Sequence, residues 1–258
     1  MNYSEITELV KQTKPIFFDR VMSDLITVKG KADYVTKVDF TVQEFLKSKL
    51  TEKYPDIEFM AEEQKNNSDA VFRTAWILDP VDGTNNLIHG YRHSCVSLGL
   101  CHEGNMVFGV VYDPYKEEVF TAVRGQGAFL NGEPIHVSKE TTLEDSLINI
   151  GTTPYNKKIA NENFSFFQSI FENCLDVRRS GSAALDLAYV ACGRIDGYVE
   201  RELKPWDFAA GVLLVEEAGG KVTTYKAEKP KFNQILDIFS SNGKIHGKFI
   251  AKFAEYMN

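Results

Sequence analysis

The sequence has no stretch approaching the roughly 18 consecutive apolar residues of a membrane-spanning helix. It has no basic excess either. Among 258 residues, 29 Lys and Arg face 36 Asp and Glu, a formal net charge of −7. That balance leaves no electrostatic footprint for nucleic acid or an anionic membrane. The opening residues, MNYSEITELVKQTK, carry early acids and no apolar segment, so they do not read as a secretory leader. Cysteine is scarce, and Cys95, Cys101, Cys174 and Cys192 sit in apolar segments without metal-ligand spacing. They read as reduced core thiols of a cytoplasmic protein. Internal repeats, low-complexity tracts and obvious linkers are missing too. What is present is an apolar fraction of 43% and a charged fraction of 25%, the profile of a globular chain with a full core. The length allows one large domain or two closely joined ones.

Ile6, Leu9, Val10, Phe17, Val21 and Leu25 fall near helical spacing and predict an amphipathic first helix, which Pro15 breaks or kinks. Residues 28–38 read as a loop leading to Asp39, and a helix is expected from about Phe40 to Lys53. Ile57 to Ala61 reads as a short strand with Glu62 and Glu63 directly after it, then a mobile polar loop over 64–69. Ala75 to Leu78 reads as a buried strand that Pro80, lacking an N–H, brings to an end. Residues 94–101, 106–114 and 117–125 follow as antiparallel strands, with a hairpin turn at Glu103-Gly104-Asn105. Beyond the polar connector 138–145, strands and helices alternate, which argues an α/β layer. The expected organisation is α/β, layered α+β in character. Residues 1–140 form a part with helices against a mostly antiparallel sheet, and residues 141–258 form an α/β part, with the active site between them.

The chemistry centres on residues 76–90, WILDPVDGTNNLIHG. Asp79 and Asp82, followed by Gly83 and Thr84, suit a hard-cation and phosphate site. The same letters also serve an ordinary turn or helix cap. Three further acids stand at element ends: Asp39, Glu62 and Asp207. Asp39 and Asp207 can each be helix caps, and Glu62 and Glu63 can simply be solvated. If these acids converge, mutual repulsion protonates them unless divalent cations bind. Oxygen-only donors favour Mg²⁺ over zinc. A carboxylate-held Mg²⁺ pair suits phosphate-ester hydrolysis, activating water and stabilising the leaving oxygen without a protein nucleophile. If Gly83 and Thr84 open a helix, their N–H groups can hold the phosphate. The Thr84 hydroxyl can orient the water and pass its proton toward Asp39.

With these residues in view, the sequence resembles the inositol monophosphatases, within the lithium-sensitive, Mg²⁺-dependent phosphatase superfamily. WILDPVDGTNNLIHG is similar to the family's first signature and PWDFAAGVLLVEEAGG to its C-terminal one, with Glu62-Glu63, GSAALDLAYVACGRIDGYVE and SNGKIH in the right order. The resemblance implies an αβαβα five-layer sandwich of the inositol monophosphatase and fructose-1,6-bisphosphatase type. It implies that Glu62, Asp79 and the Val81 carbonyl hold one metal, that Asp79, Asp82 and Asp207 hold a second, and that Glu62 also serves a weaker third. Asp39 and Thr84, with Glu62, match the groups that activate water. Asp82, Gly83 and Thr84 match the phosphate site, and Gly181, Ser182, Ala183 and Glu200 match the wall meeting the substrate's hydroxyls. Two to three Mg²⁺ ions are implied, with Mn²⁺ as a substitute and Li⁺ and Ca²⁺ as inhibitors. A homodimer is implied too, with a small phosphate ester as substrate and neither nucleic acid nor membrane as partner.

The chain departs from the family pattern at Lys204-Pro205, just before Trp206-Asp207, where the residue type bears on alcohol preference. The family's active-site-loop lysine is either Lys29 or Lys31. His89, just after the first signature's core, reads as structural. Haloacid-dehalogenase-type phosphatases carry D-x-D-G-T near the N-terminus, whereas the spacing here is D-x-x-D-G-T deep in the chain, so no Asp is placed for their covalent route. The expected function is a Mg²⁺-dependent phosphomonoesterase, with inositol monophosphate as first substrate. Alternatives are NADP(H) 2′-phosphate, fructose 1,6-bisphosphate, histidinol phosphate and 3′-phosphoadenosine phosphates. A different class of reading is a regulator that keeps the fold and binds metal or phospholigand without turnover.

Overall fold

The computed structural model describes residues 1–30, 32–66 and 68–257. The N-terminal segment is not one helix but three: α1 (Tyr3–Lys11), α2 (Lys14–Phe17) and α3 (Arg20–Asp24). Pro15 sits in the first turn of α2, where a missing N–H costs nothing. Asp19 starts α3, its carboxylate accepting the Met22 N–H at 3.2 Å. The expected loop over 28–38 is instead a hairpin of β1 (Ile26–Gly30) and β2 (Asp33–Thr36). Helix α4 (Lys37–Lys53) then starts three residues earlier than its apolar pattern suggests. The reason is a capping arrangement: Thr36 accepts the Val38 N–H at 3.1 Å, and Asp39 accepts the Thr36 N–H at 2.8 Å.

After β3 (Glu58–Ala61), Gln64 and Asn66 are tied back to that strand rather than left free. The Asn66 side chain takes the Ala61 N–H at 2.9 Å and donates to the Ala61 carbonyl at 2.7 Å. Strand β4 (Thr74–Asp82) runs through Pro80 instead of stopping there. A bulge admits the proline, because three steps from Asp79 to Asp82 answer two steps from Ser97 to Cys95. A short helix α5 (Thr84–Ile88) follows, then β5 (Cys95–His102), β6 (Asn105–Asp113), β7 (Glu118–Val123), β8 (Gly127–Leu130) and β9 (Glu133–Ile135). Glu103 and Gly104 both take positive φ, 48° and 76°, the geometry that suits a two-residue hairpin. Strands β3 to β9 form one seven-stranded sheet in sequence order, antiparallel except for the β3–β4 pair.

The rest of the chain gives β10 (Leu147–Ile150), α6 (Ala160–Phe171), β11 (Asp176–Arg178), α7 (Ala183–Ala191), β12 (Gly197–Leu203), α8 (Pro205–Glu217), β13 (Lys221–Thr223), β14 (Leu236–Ser241) and α9 (His246–Met257). Its five strands order as β11-β10-β12-β14-β13. Apolar clusters show the layering. Ile6, Val10, Val42 and Leu46 of α1 and α4 pack on Leu78, Leu98 and Val110 at one face of the seven-stranded sheet. Helices α7 and α8 fill the space between the two sheets, where Leu187, Phe208 and Leu213 meet Ile77, Val111, Tyr198 and Ile238. Phe166 and Ile170 of α6 and Phe249 of α9 cover the outer face of the second sheet at Val199 and Phe239. The fold is an αβαβα sandwich.

Helix α8 is apolar around most of its circumference because sheets flank it on both sides. Close approach needs glycine: a Cβ at Gly109 would lie 3.0 Å from the Ala210 carbonyl, and one at Gly211 would lie 2.5 Å from Leu187. This packing seats the start of α8, with Asp207, beside the bulged end of β4. Among the described residues, no helix is long and apolar enough to cross a membrane. All four cysteines are unpaired, with Cys95 and Cys101 buried and Cys174 and Cys192 half-buried.

Candidate active site

In a regular strand, residues three apart point to opposite faces. The extra residue in the β4 bulge cancels that alternation, so Asp79 and Asp82 line the same cavity. Asp79 Oδ1 accepts the Val81 N–H at 3.0 Å. Asp82 Oδ2 accepts from the Ser182 hydroxyl at 2.5 Å and from the Ala184 N–H, in the first turn of α7, at 2.7 Å. Glu62 arrives because β3 runs parallel to β4, and its N–H donates to the Leu78 carbonyl at 3.2 Å. Asp207 stands at the third position of α8, its Oδ2 accepting the Lys204 N–H at 2.7 Å. Glu62, Asp79, Asp82 and Asp207, with Val81, Gly83, Thr84 and Glu200, line one cavity of about 130 Å³.

Asp39 lies behind this cavity, fully buried at the third position of α4. Its two oxygens have separate duties. Oδ2 accepts the Thr36 N–H at 2.8 Å and the Thr36 hydroxyl at 2.6 Å, while Oδ1 faces the Thr84 hydroxyl at 3.0 Å. The Thr84 hydroxyl is also 3.0 Å from the Val81 carbonyl, and its single proton serves one acceptor at a time. Gly83, at φ 90°, admits no side chain, since a Cβ there would stand 3.0 Å from the His93 carbonyl and 3.2 Å from the Gly181 carbonyl. Asn86 joins the two sides of the site by donating to the His93 carbonyl at 2.7 Å and the Ser180 carbonyl at 3.0 Å.

Burial, with neighbouring charge, raises four of these carboxyls. Burial, then Glu62, Asp82 and Asp207, hold Asp79 well above the usual carboxylate range. Burial, then Glu62 and Asp82, do the same to Asp207. Burial lifts Asp82 to about 6 despite its Ser182 and Ala184 donors, and lifts Asp39 to about 7 against its Thr36 bonds. Lys29, at the rim, bonds Glu63 at 2.7 Å and Glu62 at 3.1 Å. Burial works against the Lys29 charge, but these two carboxylates hold it above the ordinary lysine range. Lys31, the other candidate loop lysine, lies outside the described residues.

Among the described residues, no three His, Cys, Asp or Glu side chains already close around one point as they would around an ion. The donor set nevertheless fits hard divalent cations. It is buried, made of oxygens alone, and more negative than its protein donors offset.

A carboxyl with a raised folded pKa binds its proton more tightly in the folded state. Its stabilising contribution is complete below the unfolded value, near 4, and is lost as pH rises through about 6 for Asp82 and about 7 for Asp39. In EDTA the protein should therefore melt higher at pH 5 than at pH 8, and Mg²⁺ should raise Tm mainly at pH 8. Scanning calorimetry over that range checks it, and a metal-free Tm that climbs toward pH 8 would contradict the convergence of these acids.

On the opposite wall, Gly181, Ala183 and Glu200 line the cavity. Burial raises the Glu200 carboxyl even though Tyr198 Oη donates at 2.8 Å and the Thr153 N–H at 3.1 Å. Ser182, expected on this wall, and Lys204, expected near the substrate, stand outside the lining. Ser182 is buried as the N-cap of α7, with its hydroxyl spent on Asp82. Lys204 is not part of the lining, and its ammonium lies 5.6 Å from the Trp206 ring centroid and 5.9 Å from that of Tyr155. His89 is exposed at the end of α5, outside the lining. Among the lining residues not singled out in the sequence are Asp33, Tyr34, Tyr155 and Arg179. Arg179 had a usable signal, two positions before Gly181, whereas Tyr155 depends on how residues 151–156 fold over β12.

The model of the inositol monophosphatase family matches residues 3–258. The chain belongs to the inositol monophosphatase family. It is 41% identical over 222 residues to an inositol-1-monophosphatase of Synechocystis sp., spanning 86% of this chain and 77% of that protein. It is also 41% identical over 209 residues to the Nus factor SuhB of Xylella fastidiosa, spanning 80% of this chain and 74% of that protein. The crystal structure of the extragenic suppressor protein SuhB of Bartonella henselae superposes with a TM-score of 0.89 at 33% identity, covering 97% of this chain and 98% of that one. Inositol monophosphatase family members are metal-dependent phosphatases of small phosphate esters. That agrees with a cavity floored by carboxylate oxygens.

Proposed function

We propose that this inositol monophosphatase family member is a Mg²⁺-dependent phosphomonoesterase whose first substrate is inositol monophosphate, and that it works as a homodimer. The observation that supports this most is the gathering of Glu62, Asp79, Asp82 and Asp207 on one cavity beside the Asp39–Thr84 pair. Glu62, Asp79, the Val81 carbonyl, Asp82 and Asp207 would hold two to three ions, with Mn²⁺ replacing Mg²⁺ and Ca²⁺ inhibiting. Bound Mg²⁺ supplies Lewis acidity and lowers the pKa of water. Gly83 and Thr84 would meet the phosphate, and Glu200 would accept from an alcohol hydroxyl. Thr84 orients the attacking water through its hydroxyl, with Asp39 as the acceptor that fixes that hydroxyl. No side chain needs to be phosphorylated. The test is phosphate release over a panel of inositol 1-phosphate, NADP, fructose 1,6-bisphosphate, histidinol phosphate and 3′-phosphoadenosine 5′-phosphate. The reading expects inositol 1-phosphate to show the highest kcat/KM, and another leader would move the substrate while keeping the chemistry.

Lithium gives a second test. Li⁺ resembles Mg²⁺ in size with half the charge. On the Asp82–Asp207 side of the site it would trap product after cleavage. Inhibition should then be uncompetitive in substrate, and competitive inhibition would contradict this arrangement.

A further inference from the structure

The cavity has a single basic side chain among its described lining residues, Arg179. Its neighbours in type are engaged. Arg178 pairs with Asp176, Arg194 with Glu118, and Arg201 with Glu162 at 3.0 Å. Arg179 makes no such pair among the described residues. The backbone beside it is nevertheless held. The next residue, Ser180, is pinned twice: its hydroxyl donates to buried Asp186 at 2.7 Å, and its carbonyl accepts from Asn86 at 3.0 Å. The guanidinium lies against Gly181, where a Cβ would come within 2.4 Å of Arg179 Nη1 and 3.1 Å of the Asn86 amide. Only glycine at 181 lets the arginine rest there, at the cavity wall that also holds Glu200.

This wall offers an acceptor in Glu200 and a charged donor in Arg179. Both Glu200 oxygens already receive one protein donor, and although the Arg179 charge acts on Glu200 through space, the guanidinium fork has no hydrogen-bond acceptor among the described residues. In the proposed site the carboxylates of the floor would hold the cations that meet the reacting phosphate, which leaves Arg179 for something else. A planar five-donor fork is best matched by an oxyanion, and charge-assisted bonds are about twice as strong as neutral ones. We propose that Arg179 is a specificity-determining residue that binds a second oxyanion, phosphate or carboxylate, carried on the alcohol of the substrate. The proposal rests on the phosphatase reading and widens its substrate class, beyond inositol monophosphate, to esters that carry a second anionic group.

Matched pairs isolate the effect. Fructose 1,6-bisphosphate against fructose 1-phosphate differ by the second phosphate, and 3-phosphoglycerate against glycerol 3-phosphate differ by a carboxylate. In the unaltered protein the doubly anionic member of at least one pair should show the lower KM, and which pair does so identifies the oxyanion. Arg179→Gln should shrink that preference by about 10–100-fold, the value of one or two charge-assisted bonds. Arg179→Lys should restore part of it, because it keeps the charge and loses the fork. Binding measured by calorimetry with Ca²⁺ in place of Mg²⁺ gives the same comparison without turnover. An inactive protein would thus count against the phosphatase reading while Arg179 is still tested. An unchanged preference in the Gln variant overturns the proposal. So does equal weakening of both members of a pair, which would assign Arg179 to the shared phosphate.

Discussion

Asp79→Asn is expected to abolish phosphate release and weaken Mg²⁺ binding, while raising the melting temperature of the metal-free protein at pH 8. Asp79 is only 2% exposed and lies within the field of Glu62, Asp82 and Asp207. In the proposed site it serves both main ions, so replacing one oxygen by an amide weakens both. Metal Lewis acidity is worth several kcal/mol of transition-state stabilisation, which corresponds to a loss of about 10³-fold or more in kcat/KM. The stability change runs the other way. Removing one of several mutually repelling buried charges relieves the cluster, and each kcal/mol recovered shifts Tm by roughly 2–4 °C in a chain of this size. The same substitution thus separates two origins of a loss. A variant that is inactive but melts lower at pH 8 has lost folding, not a ligand. One that keeps full activity removes the shared-carboxylate reading.

The second large effect concerns the Asp39–Thr84 pair. In Asp39→Asn, an amide oxygen facing Thr36 still accepts the capping N–H, and the amide nitrogen then faces Thr84. The cap survives while the acceptor for the Thr84 hydroxyl becomes a donor. Thr84→Ala removes the hydroxyl and leaves the cap of α4 untouched. Both variants should therefore melt close to the unaltered protein and lose kcat by about 10²–10⁴-fold, with KM little changed. If the two residues act as one relay, the double variant should be barely slower than the worse single one. Steady-state kcat at saturating Mg²⁺ for both singles and the double, with melting curves alongside, measures this. Multiplicative losses would argue against a shared relay. Near-normal kcat with melting lowered by a cap's worth, about 1 kcal/mol, would leave only the structural role.

Most of the layered fold was legible because its signals are local. The antiparallel meander from Cys95 to Val123 could be read from its turn at Glu103-Gly104 and its apolar strands. The α/β alternation of the second half showed in its rhythm. The misses came where tertiary context outweighs local preference. Pro80 stops an ordinary strand, but a bulge absorbs it, and a bulge depends on the partner strand rather than on the sequence around the proline. The β1–β2 hairpin has little apolar alternation because all of β1 is exposed. For the candidate site, the acids were legible by type and position, and the structure brings them to one cavity. Ser182 and Lys204 show the limit of carrying a role along a motif. Ser182 faces Asp82 because it must cap α7, and Lys204 turns over aromatic rings because α8 begins at Pro205. Tyr155 reaches the cavity through contacts distant in sequence, which no spacing could reveal, whereas Arg179 had a signal in its place two positions before Gly181.

The most direct measurement of the central claim is phosphate release from inositol 1-phosphate by one preparation, first in EDTA and then with Mg²⁺ added back at millimolar concentration. The account predicts no release above background in EDTA and full recovery with Mg²⁺, with recovery lost in Asp79→Asn. Release that persists in EDTA, or that returns undiminished in the Asn variant, would contradict a carboxylate-held Mg²⁺ site as the seat of catalysis.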